Sequence, residues 1–142
     1  MEILQMKNSV LYFAYGSNLN PWRISFRCPS ATTVGHAKLY NYRIAERLYA
    51  DIDRRIGSTV DGVLYRISEK DLHALDRYEG APNVYQKIWT VVRMGGKRIL
   101  AVTYQMTPEM KQIRYGMPYP NNYRKICSAG ADYHRIHNNF KD

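Results

Sequence analysis

Val10-Leu11-Tyr12-Phe13-Ala14-Tyr15-Gly16-Ser17-Asn18-Leu19-Asn20-Pro21 reads as a strand that stops abruptly and hands over to a helix. Val10 to Tyr15 is apolar and aromatic, the composition of a buried strand. Gly16-Ser17-Asn18 is a turn cluster: glycine permits positive φ, and serine and asparagine bond to nearby backbone. Asn20 stands where an N-cap belongs, with Pro21 at the first helical position. Such a turn leaves backbone N–H groups pointing outward at a strand end, which suits a carboxylate or another anion. An ordinary tight connection is the commoner use of such a turn, and on these residues alone it is the favoured reading.

Working outward, Pro21 to Cys28 is a short helix that Pro29 ends. Ala31 to Tyr49 is extended, with Gly35 marking a bulge or close backbone approach and His36 a structural or solvent-facing residue. Glu46 pairs with Arg43 or Arg47, and Tyr49 to Thr59 forms a polar loop with a short extended piece. Val60 to Ile67 is a strand, with a bulge or packing contact at Gly62. Ser68 caps the following helix, Asp71 takes the capping-box place, and Gly80 terminates it. Met94-Gly95-Gly96 joins two β-rich runs, Val84 to Arg93 and Lys97 to Met106, into a hairpin. Pro118-Tyr119-Pro120 marks a rigid loop, and Asn121-Asn122 caps a helix from about Tyr123. Ala129-Gly130-Ala131 either interrupts that helix or lets it pack closely, and the tail from His137 frays. Antiparallel strands with a few short helices between them indicate one α+β domain over residues 1–142, whose sheet can curl into a barrel.

At 142 residues, 45% hydrophobic and 23% charged, the chain has the balance of an ordinary globular domain. No apolar run approaches the ~20 residues that a bilayer requires. Met1 to Ser9 is polar throughout and lacks a signal peptide's apolar centre, so a cytoplasmic protein without membrane attachment is expected. Cys28 and Cys127 have neither metal-ligand nor disulfide-framework spacing and read as buried small hydrophobes. The net charge of +9 raises nucleic acid as a partner. The cations are scattered, however, and the thirteen tyrosines fall mostly in strand-like runs, so no nucleic acid is expected. A positive field that draws small carboxylate substrates accounts for the charge equally well. Asp51 and Asp53 have a calcium-loop rhythm, but the remaining ligands are missing and Arg54-Arg55 argues against a cation.

Leu75-Asp76-Arg77-Tyr78-Glu79-Gly80 is the second informative stretch. A carboxylate at a helix C-terminus meets the negative end of the macrodipole, so Glu79 is unfavourable there without a task or a buried partner. A solvated acid pairing with Arg77 is the plainer alternative. Nothing else suggests covalent catalysis. No Gly-x-Ser-x-Gly elbow occurs, and neither cysteine is paired with a histidine.

Tyr12-Phe13-Ala14-Tyr15-Gly16-Ser17-Asn18-Leu19 resembles the signature of the gamma-glutamylcyclotransferase superfamily. So do Leu75 to Gly80 followed by Tyr85, the strand Val60 to Tyr65, and Asn121 to Ile126 with Gly130-Ala131 after it, all in the right order. The resemblance implies a small mixed, largely antiparallel β-barrel with peripheral short helices. It implies Glu79 as the general acid/base. Tyr15, Gly16, Ser17, Asn18 and Leu19 would grip substrate, with Tyr123 shaping the pocket. The implied reaction is a cyclising acyl transfer: a γ-glutamyl amide closes to 5-oxoproline and releases its amine, with no cofactor and no metal. Differences in the leaving amine would lie in the loops Glu46 to Ser58 and Pro108 to Pro120. A non-catalytic module of the same fold that binds a small metabolite or peptide is the alternative. Either a monomer or a homodimer is compatible with the sequence.

Overall fold

In the computed structural model, which describes residues 9–141, β1 (Ser9–Ala14) runs into a single 3-10 turn (Ser17–Leu19) and then α1 (Pro21–Arg27). The leader reading of Met1 to Asn8 lies outside the described residues. A long hairpin follows, β2 (Thr32–Arg47) and β3 (Tyr49–Ser68), then α2 (Glu69–Tyr78) and a second hairpin, β4 (Tyr85–Met94) and β5 (Lys97–Met106). The chain continues through α3 (Pro108–Ile113) and α4 (Asn121–His134).

The strands close into a barrel in the order β1-β3-β2-β4-β5. β1 lies antiparallel to β3, with Tyr12 opposite Tyr65, and touches β5 in parallel at Val102. The β2–β3 ladder shifts register at Thr33/Gly35, where the glycine forecast a bulge, and again at Tyr40/Tyr42. The second hairpin turns on Gly95 and Gly96, with φ of 57° and 81°, which explains the glycine pair. Phe13, Leu64, Ile67, Leu75 and Met106 fill the interior. Gly62 is a packing contact, since a Cβ there would stand 2.4 Å from the Ala14 carbonyl oxygen.

Five expectations are corrected. Tyr49 to Thr59 is not a loop but the first half of β3, reversed from β2 at Leu48 (φ 66°). Its polar residues obscured the strand because Asp51 faces inward, fully buried, and meets cations there. Glu46 pairs with Arg124 at 3.1 Å, while Arg47 turns to Asp51 and Asp53, each at 2.7 Å. Residues 108–113 form a helix capped by Thr107, and α4 starts at Asn121 itself, with Pro120 before it and no side-chain cap. The tail does not fray: Phe140 is buried beside Tyr119, and Asn138 donates to the Ser128 carbonyl at 3.1 Å. Gly130 serves close packing, because a Cβ would come within 2.5 Å of the Leu19 carbonyl carbon and the Asn20 nitrogen. Among the described residues, no helix is long and apolar enough to cross a membrane.

Candidate active site

The turn after β1 is fastened from both sides. Asn20 caps α1, its Oδ1 accepting from the Trp22 N–H at 3.0 Å, while its Nδ2 donates to the Ile126 carbonyl of α4 at 3.1 Å. The turn's own hydrogen bonds consume the N–H groups of Leu19 and Asn20, which donate to Gly16 and Ser17. They leave those of Ser17 and Asn18 unused by the turn. Gly16 has φ −121°, so it is not here for a left-handed conformation. It is here for space: a Cβ would lie 3.1 Å from the Tyr123 hydroxyl and 3.2 Å from the Ala50 Cβ.

Asn18 is buried and locked. It donates to the Tyr12 hydroxyl at 2.9 Å, accepts from Arg27 at 3.3 Å, and its carbonyl accepts from Tyr65 at 2.9 Å. Tyr15 donates to the Tyr104 carbonyl at 2.5 Å, and Tyr104 donates to Asp76 at 2.6 Å. Lys87 holds the other Asp76 oxygen at 2.9 Å. Tyr123 accepts from the Ala50 N–H at 3.0 Å.

Glu79 is the C-cap of α2, its N–H bonded to the Leu75 carbonyl, and Gly80 reverses the chain at φ 65°. The side chain enters a cavity of about 380 Å³ that Gly16, Ser17 and Asn18 also line. Among the described residues no cation lies within 4 Å of its carboxylate, so the alternative of a pairing with Arg77 does not form, although Arg77 lines the same cavity. Burial pushes the Glu79 carboxyl up to about 7, with Arg27 and Arg23 partly opposing the rise. Burial likewise pushes up the hydroxyls of Tyr12, Tyr15, Tyr85, Tyr104 and Tyr123, so these remain neutral hydrogen-bonding walls. Burial raises both thiols, Cys28 and Cys127, to about 12, which disfavours either as a nucleophile.

Glu79, Tyr15, Gly16, Ser17, Asn18 and Tyr123 thus face one space. Leu19 does not; it is buried against Gly130 of α4 and sets the turn's position from behind. Asp51 and Asp53 do not form a cation site. Asp51 accepts from Arg47, Lys111 and the Met106 N–H, and Asp53 from Arg47 and Lys111. Burial alone would raise Asp53, but Arg47 and Lys111 hold it at about 2. Sequence reading missed Tyr104 and the lining arginines Arg23, Arg27 and Arg114. Arg23 and Arg27 follow the turn at helical spacing, a signal that was available. Arg114 had none, because α3 was read as loop.

The pattern of the family described as Gamma-glutamyl cyclotransferase, AIG2-like, matches residues 12–126. A Bos taurus protein named Gamma-glutamylcyclotransferase is 34% identical over 137 residues, covering 87% of this chain and 70% of the relative. A solved structure named Gamma-glutamyl cyclotransferase superposes with a TM-score of 0.74 at 30% identity, over 89% of this chain and 80% of that one. An uncharacterized Homo sapiens protein gives a TM-score of 0.76, also at 30% identity, with the same coverage.

Proposed function

The chain belongs to the gamma-glutamyl cyclotransferase, AIG2-like family, and we propose that it cyclises a γ-glutamyl amide to 5-oxoproline with Glu79 as general acid/base. The observation that carries this reading is a carboxyl without an ion-pair partner among the described residues, raised to about 7, in a cavity shared with the Gly16-Ser17-Asn18 turn.

The substrate supplies its own nucleophile. Its α-ammonium gives a proton to ionised Glu79, and the freed amine attacks the side-chain carbonyl carbon. A C–N bond forms and the carbonyl electrons move onto oxygen. Collapse breaks the C–N bond to the leaving amine, which takes the proton back from Glu79; the carboxylate then relays the ring nitrogen's second proton to it, leaving a neutral lactam, an ammonium product and an ionised Glu79. Atoms and charge balance without a redox partner, metal or cofactor. A pKa near 7 keeps Glu79 partly ionised and still basic enough at neutral pH to take that proton. The N–H groups of Ser17 and Asn18 suit either the α-carboxylate or the developing oxyanion. Ring closure is intramolecular, so the protein's main contribution is to hold the folded conformer against walls fixed by Asn18 and Tyr123.

The test is 5-oxoproline release from a panel of γ-glutamyl dipeptides, glutathione and γ-glutamyl-lysine, measured with the native protein and Glu79→Gln. The native protein should turn over at least one compound, and Glu79→Gln should lose activity while keeping its circular dichroism spectrum. An active Glu79→Gln variant overturns the mechanism. Absence of turnover together with ligand-dependent shifts in melting temperature would favour the binding-module alternative.

A further inference from the structure

Four arginines, Arg23, Arg27, Arg77 and Arg114, line the cavity opposite one carboxylate, Glu79. Arg27 is already engaged, donating to Asn18 and lying 4.7 Å over the Tyr78 ring. It and Arg23 bear electrostatically on Glu79. Arg114 is different. It stands on the cavity wall made by Tyr49 and Tyr123, whose ring centres lie 4.9 Å apart. Its guanidinium lies 5.3 Å from the centre of the Tyr49 ring, and its Nη1 is buried without a hydrogen-bond partner among the described residues. No carboxylate among the described residues comes within 4 Å of it, because Asp51 and Asp53 are taken by Arg47 and Lys111. A buried, unpaired guanidinium N–H is costly, and a carboxylate is the group its planar fork fits best.

The position is held, not loose. Arg114 caps the C-terminus of α3, its N–H bonded to the Met110 carbonyl at 2.9 Å. One turn earlier, Lys111 pins α3 to β3 through Asp51, Asp53 and the Ile52 carbonyl at 2.7–2.9 Å. The γ-glutamyl unit brings one carboxylate and one ammonium, a net charge of zero, and the Ser17-Asn18 turn provides for an anion near Glu79. The cation beside Tyr49 is left unmatched by that unit.

We propose that Arg114 is a specificity-determining residue that grips a carboxylate on the leaving amine. Arg114 then sets how strongly the site separates leaving amines that carry a carboxylate from those that do not. This rests on the cyclotransferase reading above. Two compounds of nearly equal shape separate the charge from the size: γ-glutamylglycine and γ-glutamylglycinamide. The native protein should prefer the first in kcat/KM by about tenfold or more, the worth of a charge-assisted hydrogen bond. Arg114→Gln should bring that ratio near one, chiefly through KM for γ-glutamylglycine, and Arg114→Lys should restore it only in part. A ratio unchanged in Arg114→Gln overturns the proposal. Calorimetric binding of both compounds to Glu79→Gln, with and without Arg114→Gln, reads the same preference without turnover. If no γ-glutamyl compound turns over but the calorimetric preference is present and lost with Arg114, the cyclotransferase reading falls and the carboxylate grip stands. If turnover is normal and the preference is absent, the grip falls and the cyclotransferase reading stands.

Discussion

Gly16 and Tyr123 are in contact: a Cβ on the glycine would sit 3.1 Å from the tyrosine's hydroxyl oxygen. That hydroxyl also accepts the Ala50 N–H at 3.0 Å, so the turn after β1, the start of β3 and the first turn of α4 meet at one point. Gly16 is not in the left-handed region, and Gly16→Ala crowds this point. Tyr123 or the turn must yield by a few tenths of an ångström. We expect a stability loss of about 1 kcal/mol from overpacking and a fall in kcat/KM of roughly tenfold or more from the displaced wall. Urea titration and steady-state kinetics measure the two separately, and unchanged kinetics would mean that this wall does not touch substrate.

Glu79 leaves a signature in stability as well as in rate. Its folded-state carboxyl is raised to about 7, above the ~4.3 of an unfolded chain. The folded protein therefore holds this proton longer, and the Glu79 contribution to stability falls as pH rises from roughly 4 to 7. Glu79→Gln removes that penalty. The variant should match the native protein near pH 4 and exceed it by on the order of 2 kcal/mol at pH 8, since solvent reaches the half-buried side chain and softens the penalty. Denaturant titrations at the two pH values test this, and an equal difference at both would remove Glu79 from the cavity's titration.

What the sequence made legible was local. Asn20-Pro21 and Ser68 announced their helices because a cap is satisfied within one turn of the residue that supplies it. Gly95-Gly96, Gly62 and Gly130 pointed to turns and close approaches for the same local reason. The barrel and the three-part motif followed from the resemblance more than from periodicity. What stayed hidden depended on partners far along the chain. Asp51 looked like a loop residue because the lysine that neutralises it stands at position 111. Glu46 looked like a neighbour of Arg43 or Arg47, but its cation is Arg124 on α4. Phe140 looked frayed because Tyr119, which it packs against, stands on the other side of α4 in the chain. Arg114 could not be read as part of the site until α3 existed.

Arg27 lowers the Glu79 carboxyl against the larger effect of burial. Replacing it by glutamine removes the opposing charge while keeping an amide that can donate to Asn18. The acid limb of kcat/KM, set by the ionisation of Glu79, should then move to higher pH by roughly half a unit to one unit. A pH–rate profile from 5 to 9 with γ-glutamylglycine checks it. A midpoint that stays in place, or moves down, would separate Arg27 from the acid/base group.

Asp51 is the buried charge whose removal should cost most. It is fully buried at the start of β3 and accepts from the Met106 N–H at 2.8 Å, from Arg47 at 2.7 Å and from Lys111 at 2.9 Å. Asp51→Ala orphans a backbone N–H of β5 and leaves two cations sharing Asp53 alone, which breaks a buried network from one side. Such losses cost about 3–5 kcal/mol. Asp51→Asn keeps an oxygen for the Met106 N–H and should cost distinctly less. Because Lys111 also tethers α3, the alanine variant should lose preference for γ-glutamylglycine over γ-glutamylglycinamide before it loses the fold. Urea titration of both variants, alongside the substrate ratio at low denaturant, tests stability and site geometry together. If Asp51→Ala destabilises fully yet keeps the native substrate ratio, the charge cluster supports the barrel without positioning Arg114.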